Sequence, residues 1–138
     1  MPAPALSTER MKIDCEDDIV LVRRRVRTLA QERGFDAFAV AAITTAASEL
    51  ARNVWAHARK GQAEIEVLLE GGRAGLRLRF GDEGPGIAAL DRALAGGYST
   101  ARSLGLGLSG SKRLVDEFDI QTAPGKGTTV TVVKWARF

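Results

Sequence analysis

Glu49, Asn53 and His57 follow one another at intervals of four, so they line one face of any helix that contains them. A carboxylate and an amide one turn apart can do two jobs together. The amide oxygen is a hard ligand of the kind magnesium takes beside waters and phosphate oxygens, and the carboxylate can accept a proton or orient an attacking hydroxyl. An ordinary polar helix face has the same pattern. His57, near the expected helix end, fits packing or the helix dipole. Further along, Asp82-Glu83-Gly84-Pro85-Gly86-Ile87 forms a tight turn after a strand. Its glycines let the backbone approach a flat ligand without a Cβ in the way, and the Asp82 carboxylate can accept a hydrogen bond from an adenine amino group. A plain surface turn also uses Asp and Gly. Third, Leu104-Gly105-Leu106-Gly107-Leu108 opens an apolar-periodic segment, where free N–H groups at a helix start can hold an anion. In this order, the three segments describe a pocket for a nucleotide and a magnesium ion.

Two commoner phosphate loops are excluded. Gly105 to Gly110 has the Walker A interval, but Ser111 follows, Lys112 comes one place late, and Arg113 stands where Ser or Thr is needed. No parallel βαβ unit surrounds the glycines, so the dinucleotide fingerprint fails as well.

The elements that must position these residues are legible from periodicity. Arg10 to Cys15 alternates, with Met11, Ile13 and Cys15 on one face, as an edge strand does. Glu16, Asp17 and Asp18 start a helix with negative charge at its positive end, and Ile19, Val22, Val26 and Leu29 recur at helical spacing until Gly34. Asp36 caps a second helix whose buried stripe is Val40, Ile43, Ala47, Leu50 and Val54, with Gly61 at its end. The period then changes to two. Ala63, Ile65, Val67 and Leu69 alternate with polar residues, Gly71-Gly72 signals a hairpin, and Leu76, Leu78 and Phe80 continue the inward face. A short helix over 87–94, a mobile loop over 96–103, a helix over 106–117, and strands over 118–122 and 128–135 complete the reading. The expected class is α+β: a two-layer sandwich with a mixed, mostly antiparallel sheet and helices on one face.

The 138 residues suit one domain over 10–138, with residues 1–9 a flexible lead that lacks signal-peptide character. No apolar run approaches the roughly 20 residues a membrane helix needs. Cys15 is the only cysteine, which precludes an intrachain disulfide and suits a reducing cytoplasm. Net charge is +3. The dense basic run Arg23-Arg24-Arg25 with Arg27 lacks interleaved aromatics, so a solvated helix face is expected rather than a nucleic-acid platform. That face, with Phe35 and Phe38, is a candidate docking surface, although core packing also accounts for the phenylalanines.

With all three segments in place, the chain resembles the GHKL ATPase superfamily from about Arg10 to Arg137. Within it the chain is similar to the small bacterial serine/threonine kinases of anti-sigma and stress-signalling switches, the RsbT-type switch kinases in particular. The carriers are Ile43 to Asn53, Asp82 to Ile87, Lys112 to Phe118 and Gly127-Thr128-Thr129-Val130 with Lys134-Trp135. The resemblance implies that Asn53 holds Mg2+ and Glu49 assists phosphoryl transfer from ATP. It implies that Asp82 reads the adenine amino group, that Gly84, Gly86 and Ile87 shape the base pocket, and that Thr128 supports the adenine side. Leu104, Gly105, Leu106 and Gly107 would meet the phosphates of ATP or ADP, under a lid that includes Tyr98, Ser99 and Thr100. The substrate would be a STAS-domain antagonist, and the released kinase would activate a PP2C-type phosphatase or other output enzyme, without nucleic acid or membrane. The alternative is a nucleotide-dependent anti-sigma factor that sequesters a sigma subunit, against which Leu50-Ala51-Arg52 argues. A detached histidine-kinase module would need dimerisation helices and a phosphoacceptor histidine other than His57.

Overall fold

The computed structural model describes residues 5–83, 110–122 and 125–137. The short helix and loop expected over 87–103, and the turns carrying Gly84, Gly86, Gly105 and Gly107, lie outside these residues. The described elements run β1 (Ala5–Ile13), α1 (Glu16–Glu32), α2 (Ala37–Ala58), β2 (Gly61–Glu70), β3 (Arg73–Asp82), β4 (Glu117–Thr122) and β5 (Thr128–Trp135). The strands form one sheet in the order β1-β2-β3-β5-β4, and every neighbouring pair is antiparallel. No described helix is long and apolar enough to cross a membrane.

The expected two-layer α+β architecture holds, with one core between the layers. Ile19, Val22, Val26 and Leu29 of α1 and Val40, Ile43, Ala47, Leu50 and Val54 of α2 bury against Ile65, Val67, Leu76, Leu78, Phe80, Val130 and Val132 of the sheet. These are the periodic positions of the sequence, three to four apart on the helices and two apart on the strands. Asp36 caps α2 as expected: its carboxylate accepts a hydrogen bond from the Ala39 N–H at 2.7 Å. Gly71 and Gly72, both at positive φ, make the two-residue β2–β3 turn.

Four boundaries depart from the sequence reading. β1 begins at Ala5 instead of after a nine-residue lead, because residues 5–9 find partners along β2, with Ala5 opposite Leu68. Glu9 is tied to α1 by the Arg25 guanidinium, whose Nε donates at 2.8 Å. No alternation announces this, since Leu6 is exposed. Cys15 leaves the strand and becomes the residue preceding α1. α2 ends at Ala58 in place of Gly61. Arg59 takes the left-handed conformation usually reserved for glycine (φ 60), returns its N–H to the Trp55 carbonyl, and lays its guanidinium 4.8 Å from the Trp55 ring. The helix expected to Glu117 is helical over 110–114 among described residues, and β4 already begins at Glu117.

At the β1–α1 turn, Asp18 is buried yet charged. Its carboxylate accepts from the Asp14 N–H at 3.0 Å and from the Lys12 ammonium at 3.1 Å, which hold its carboxyl well below the usual range. The sheet face away from the helices is polar but ordered. Arg77 grips Glu66 with two bonds, of 2.7 and 3.0 Å, while Arg10 and Arg79 share Glu64.

Gly61 marks where α2 meets the sheet most closely. A Cβ there would run into the Gly81 carbonyl oxygen and the Val54 side chain, so only glycine lets β2 start beside α2. Gly61→Ala should therefore destabilise the fold by about 1–3 kcal/mol as overpacking does. Urea midpoints would read this, with Gly110→Ala, where a Cβ meets open space, staying near wild type.

Candidate active site

Glu49, Asn53 and His57 do share one side of α2, on its C-terminal half, flanking the buried stripe. Glu49 is half-buried, and its carboxylate accepts from Arg52 at 2.9 Å across one turn. Asn53 differs: its side-chain Nδ2 is shut off from solvent and has no hydrogen-bond partner among the described residues. A buried amide left unpaired costs free energy, so such an atom marks a place where a ligand completes the bonding. A half-turn of the amide puts its oxygen there instead. An amide oxygen is a hard donor of the kind magnesium takes beside waters and phosphate oxygens.

β3 delivers Asp82 to the same end of the sheet. Leu78 and Phe80 face the helices, so by the strand's two-residue alternation Asp82 does too. Its partner across the ladder is Thr128, which alternation from Val130 places on the same face. Thr128 is fixed by a 2.9 Å hydroxyl contact with Thr122, whose hydroxyl also bonds the Gly127 carbonyl at 3.1 Å. Gly127 lies at φ 79, and a Cβ there would strike the Asp82 carbonyl oxygen. The tight seat of this turn sets Thr128 directly beside Asp82. A cleft of about 720 Å³ at this end of the sheet is lined by Gln62, Gly81 and Thr129 of the face away from the helices together with Lys60, Asp82, Glu83 and Lys126, so of the expected site residues it touches Asp82 and not Asn53 or Thr128.

His57 links the two halves. Burial pushes its imidazole below the ordinary value, and the negative charge of Asp82 pulls partly the other way. Its Nε2 is also buried without a partner among the described residues. The side chain therefore stands with Asn53 and Asp82, rather than serving the helix dipole as a cation. The signal was present in the sequence as the continuation of the Glu49–Asn53 interval, and it is the burial that gives it meaning. Of the residues expected at the site, Asp82 and Thr128 pair across the β3–β5 ladder, and Asn53 lies on the C-terminal half of α2 with Glu49 one turn before it. Gly84, Gly86, Ile87, Tyr98, Ser99, Thr100, Leu104, Gly105, Leu106 and Gly107 lie outside the described residues.

The depressed His57 pKa has a sign. Above about pH 6.5 the imidazole is neutral in the folded and unfolded chains alike, and its contribution to stability is fully present. As pH falls below that value the unfolded chain takes up the proton first, so stability declines until the folded-state pKa is passed. Urea midpoints measured between about pH 8 and pH 5 should fall toward acid in the wild type and fall less in His57→Gln.

The sequence matches the histidine kinase-like ATPase domain family over residues 13–134. It is 44% identical over 127 residues to the serine/threonine-protein kinase RsbT of Bacillus subtilis (strain 168), covering 92% of this chain and 96% of the relative. It is 28% identical over 102 residues to the anti-sigma F factor of Thermoanaerobacter sp. (strain X514), covering 70% of each. Among solved structures, that of the RsbU and RsbW domains of Rv1364c from Mycobacterium tuberculosis superposes with a TM-score of 0.65 at 22% identity, over 96% of this chain and 33% of that one. The SiaB–SiaC complex of Pseudomonas aeruginosa gives 0.56 at 12% identity, over 95% of this chain and 90% of that one. At those identities the two structures speak to the fold alone. The sequence matches speak to kinship: this chain belongs to the histidine kinase-like ATPase domain family, in the branch that holds RsbT.

Proposed function

We propose that this protein is an ATP- and magnesium-dependent serine/threonine kinase that acts as a partner switch. The reading is supported by the pairing of Asp82 with Thr128 at the end of the sheet where α2 ends, with His57 on the Asn53 face of α2 feeling the Asp82 charge, in a chain 44% identical to a serine/threonine-protein kinase along nearly its whole length. Asp82 recognises the adenine amino group through its carboxylate, with Thr128 beside it. Asn53 would hold magnesium, which when bound would neutralise phosphate charge. Glu49 then orients the attacking hydroxyl of a protein Ser or Thr. Before it can do so it must exchange the Arg52 guanidinium for that hydroxyl, so Arg52 keeps the carboxylate placed until substrate arrives. Catalysis of this kind rests on positioning and charge neutralisation more than on covalent chemistry.

On the same reading Gly84, Gly86 and Ile87 border the base. Leu104, Gly105, Leu106 and Gly107 present backbone N–H groups to the phosphates, and Tyr98, Ser99 and Thr100 belong to a lid. The substrate is a STAS-domain antagonist. A PP2C-type phosphatase or other output enzyme is the second partner, and the chain works in the cytoplasm. A nucleotide-gated anti-sigma factor is the second reading, supported by the 28% identity to an anti-sigma F factor.

Incubation with radiolabelled ATP, magnesium and a STAS-domain protein should label the STAS protein on Ser or Thr. Glu49→Ala should lower kcat by about 10²–10⁴-fold while leaving ADP affinity near wild type. Asn53→Ala should instead weaken magnesium-dependent ADP binding in calorimetry, and Asp82→Asn should weaken adenine over guanine preference. Phosphate transfer that persists in Glu49→Ala and Asn53→Ala would reject these assignments. Tight capture of a sigma factor without phosphate transfer would select the second reading.

A further inference from the structure

At the other end of α2 lies a second surface. A groove of about 650 Å³ runs between α1 and the first half of α2, with Phe35 and Ala41 among its apolar walls and Arg27 and Gln31 on its α1 side. Phe35 is buried at 6% exposure, as core packing requires, but Phe38 is 70% exposed. Phe38, Ala41 and Thr45 recur at intervals of three and four, so the exposed ring stands on the same helix face as two lining residues. The groove also contains Thr44, whose hydroxyl oxygen is buried without a hydrogen-bond partner among the described residues.

Arg27 is the charged residue of the groove lining, while the nearby Asp36 is engaged by the Ala39 N–H and by Arg137. Arg25 points to the β1 side of α1, where Glu9 pairs with it. Arg23 and Arg27 are four apart on the side toward α2, both exposed, and neither has a carboxylate within ion-pair distance among the described residues. Arg24 is exposed as well. Cationic groups set around an apolar floor favour a partner that offers the opposite arrangement.

We infer that the α1–α2 groove is a docking site for an acidic amphipathic helix of a partner protein. Its apolar side chains would enter between Phe35 and Phe38, and its carboxylates would meet Arg23 and Arg27. A helix fits better than an extended segment for a backbone reason. The groove walls are helices whose peptide groups bond internally, and Asp36 already caps the start of α2, so an added strand would find no ladder to join. A helix satisfies its own backbone and needs only apolar anchors at i, i+3 or i+4, and i+7. The surface lies toward the opposite end of α2 from Asn53, and the inference does not depend on the nucleotide reading.

The test uses a labelled 18-residue helical peptide (the length is nominal, about five turns) with Leu at i, i+4 and i+7 and Glu on its remaining face. A companion peptide carries Lys in place of Glu. Anisotropy should show binding of the acidic peptide that weakens as salt rises from about 0.01 to 1 M, while the basic peptide binds at least roughly tenfold more weakly. Amide shifts in NMR spectra should move at Arg27, Gln31, Ala41 and Thr45. Phe38→Ser and the double variant Arg23→Glu/Arg27→Glu should each raise Kd by roughly tenfold or more. Both change exposed side chains only, and ADP affinity should stay at the wild-type level in each. The inference is overturned if the acidic peptide does not bind, if either variant binds it as wild type does, or if a single-stranded oligonucleotide shifts the same amides more strongly than the peptide. Loss of ADP binding in both variants would also overturn it, because the effect on the peptide would then not be confined to the groove.

Discussion

How near α2 can come to the sheet governs the rest of the molecule. The helix carries alanines where a bulkier stripe would hold the layers apart: Ala39, Ala46, Ala47 and Ala51 are all nearly or fully buried. Gly61 removes the last obstacle, since β2 begins in a space already taken by the Gly81 carbonyl and Val54. Close packing matters because the polar residues sit on the flank of the buried stripe. A helix held further out would leave Asn53 and His57 in water, where an unpaired amide or imidazole nitrogen simply bonds to solvent and carries no preference for a ligand. Drawn in, the same atoms lose water and gain nothing in return from the described residues. That deficit gives a bound group a place to be worth something.

The opposite face of the sheet is ordered by a different means. With no helix over it among the described residues, it relies on cross-strand pairs: Arg77 with Glu66, and Arg10 and Arg79 with Glu64. The Arg77 contact lowers the Glu66 carboxyl below its usual range, as a two-bond guanidinium grip does. Toward the β5 end, Trp135 lies where a Cβ on Gly75 would be, and the Arg73 guanidinium stacks on its ring at 5.0 Å. Pairs half open to solvent contribute little each. Their effect is register, because a slip of one residue between β2 and β3 would set Glu64 and Glu66 opposite apolar residues and turn the core residues outward.

Periodicity made most of this legible. The helical stripes, the hairpin with its Gly71-Gly72 turn, the Asp36 cap and the span of β5 all follow from spacing and turn chemistry, because burial on one face imposes a period that the chain cannot hide. What escaped was set by tertiary contact. Residues 5–9 are a strand because β2 offers them an edge and Arg25 reaches Glu9, and neither fact is local. Arg59 stands in a glycine conformation because Trp55 and its carbonyl hold it there, so glycine at Gly61 misled as a stop signal. At the site, spacing placed Glu49, Asn53 and His57 on one face but could not say which would be buried. It also could not separate the two phenylalanines, one in the core and one in water.

α2 then carries two surfaces on one body. It has 22 residues without Gly or Pro, which at 1.5 Å per residue makes a rod of about 33 Å. Such a helix bends little, since sharp kinks need Pro, Gly or an interrupted ladder. The groove occupies its first half and the Asn53–His57 face its second, about 22 Å apart for the 15 residues between Phe38 and Asn53. Anything that displaces α2 at one end must therefore move it as a unit against the sheet. The seam where that motion would be felt is the one packed most tightly, at Gly61 and Val54, beside Asp82. A core packed to that density has discrete arrangements instead of a continuum, so a contact at the groove reaches the nucleotide end only by shifting the whole helix from one seating to another.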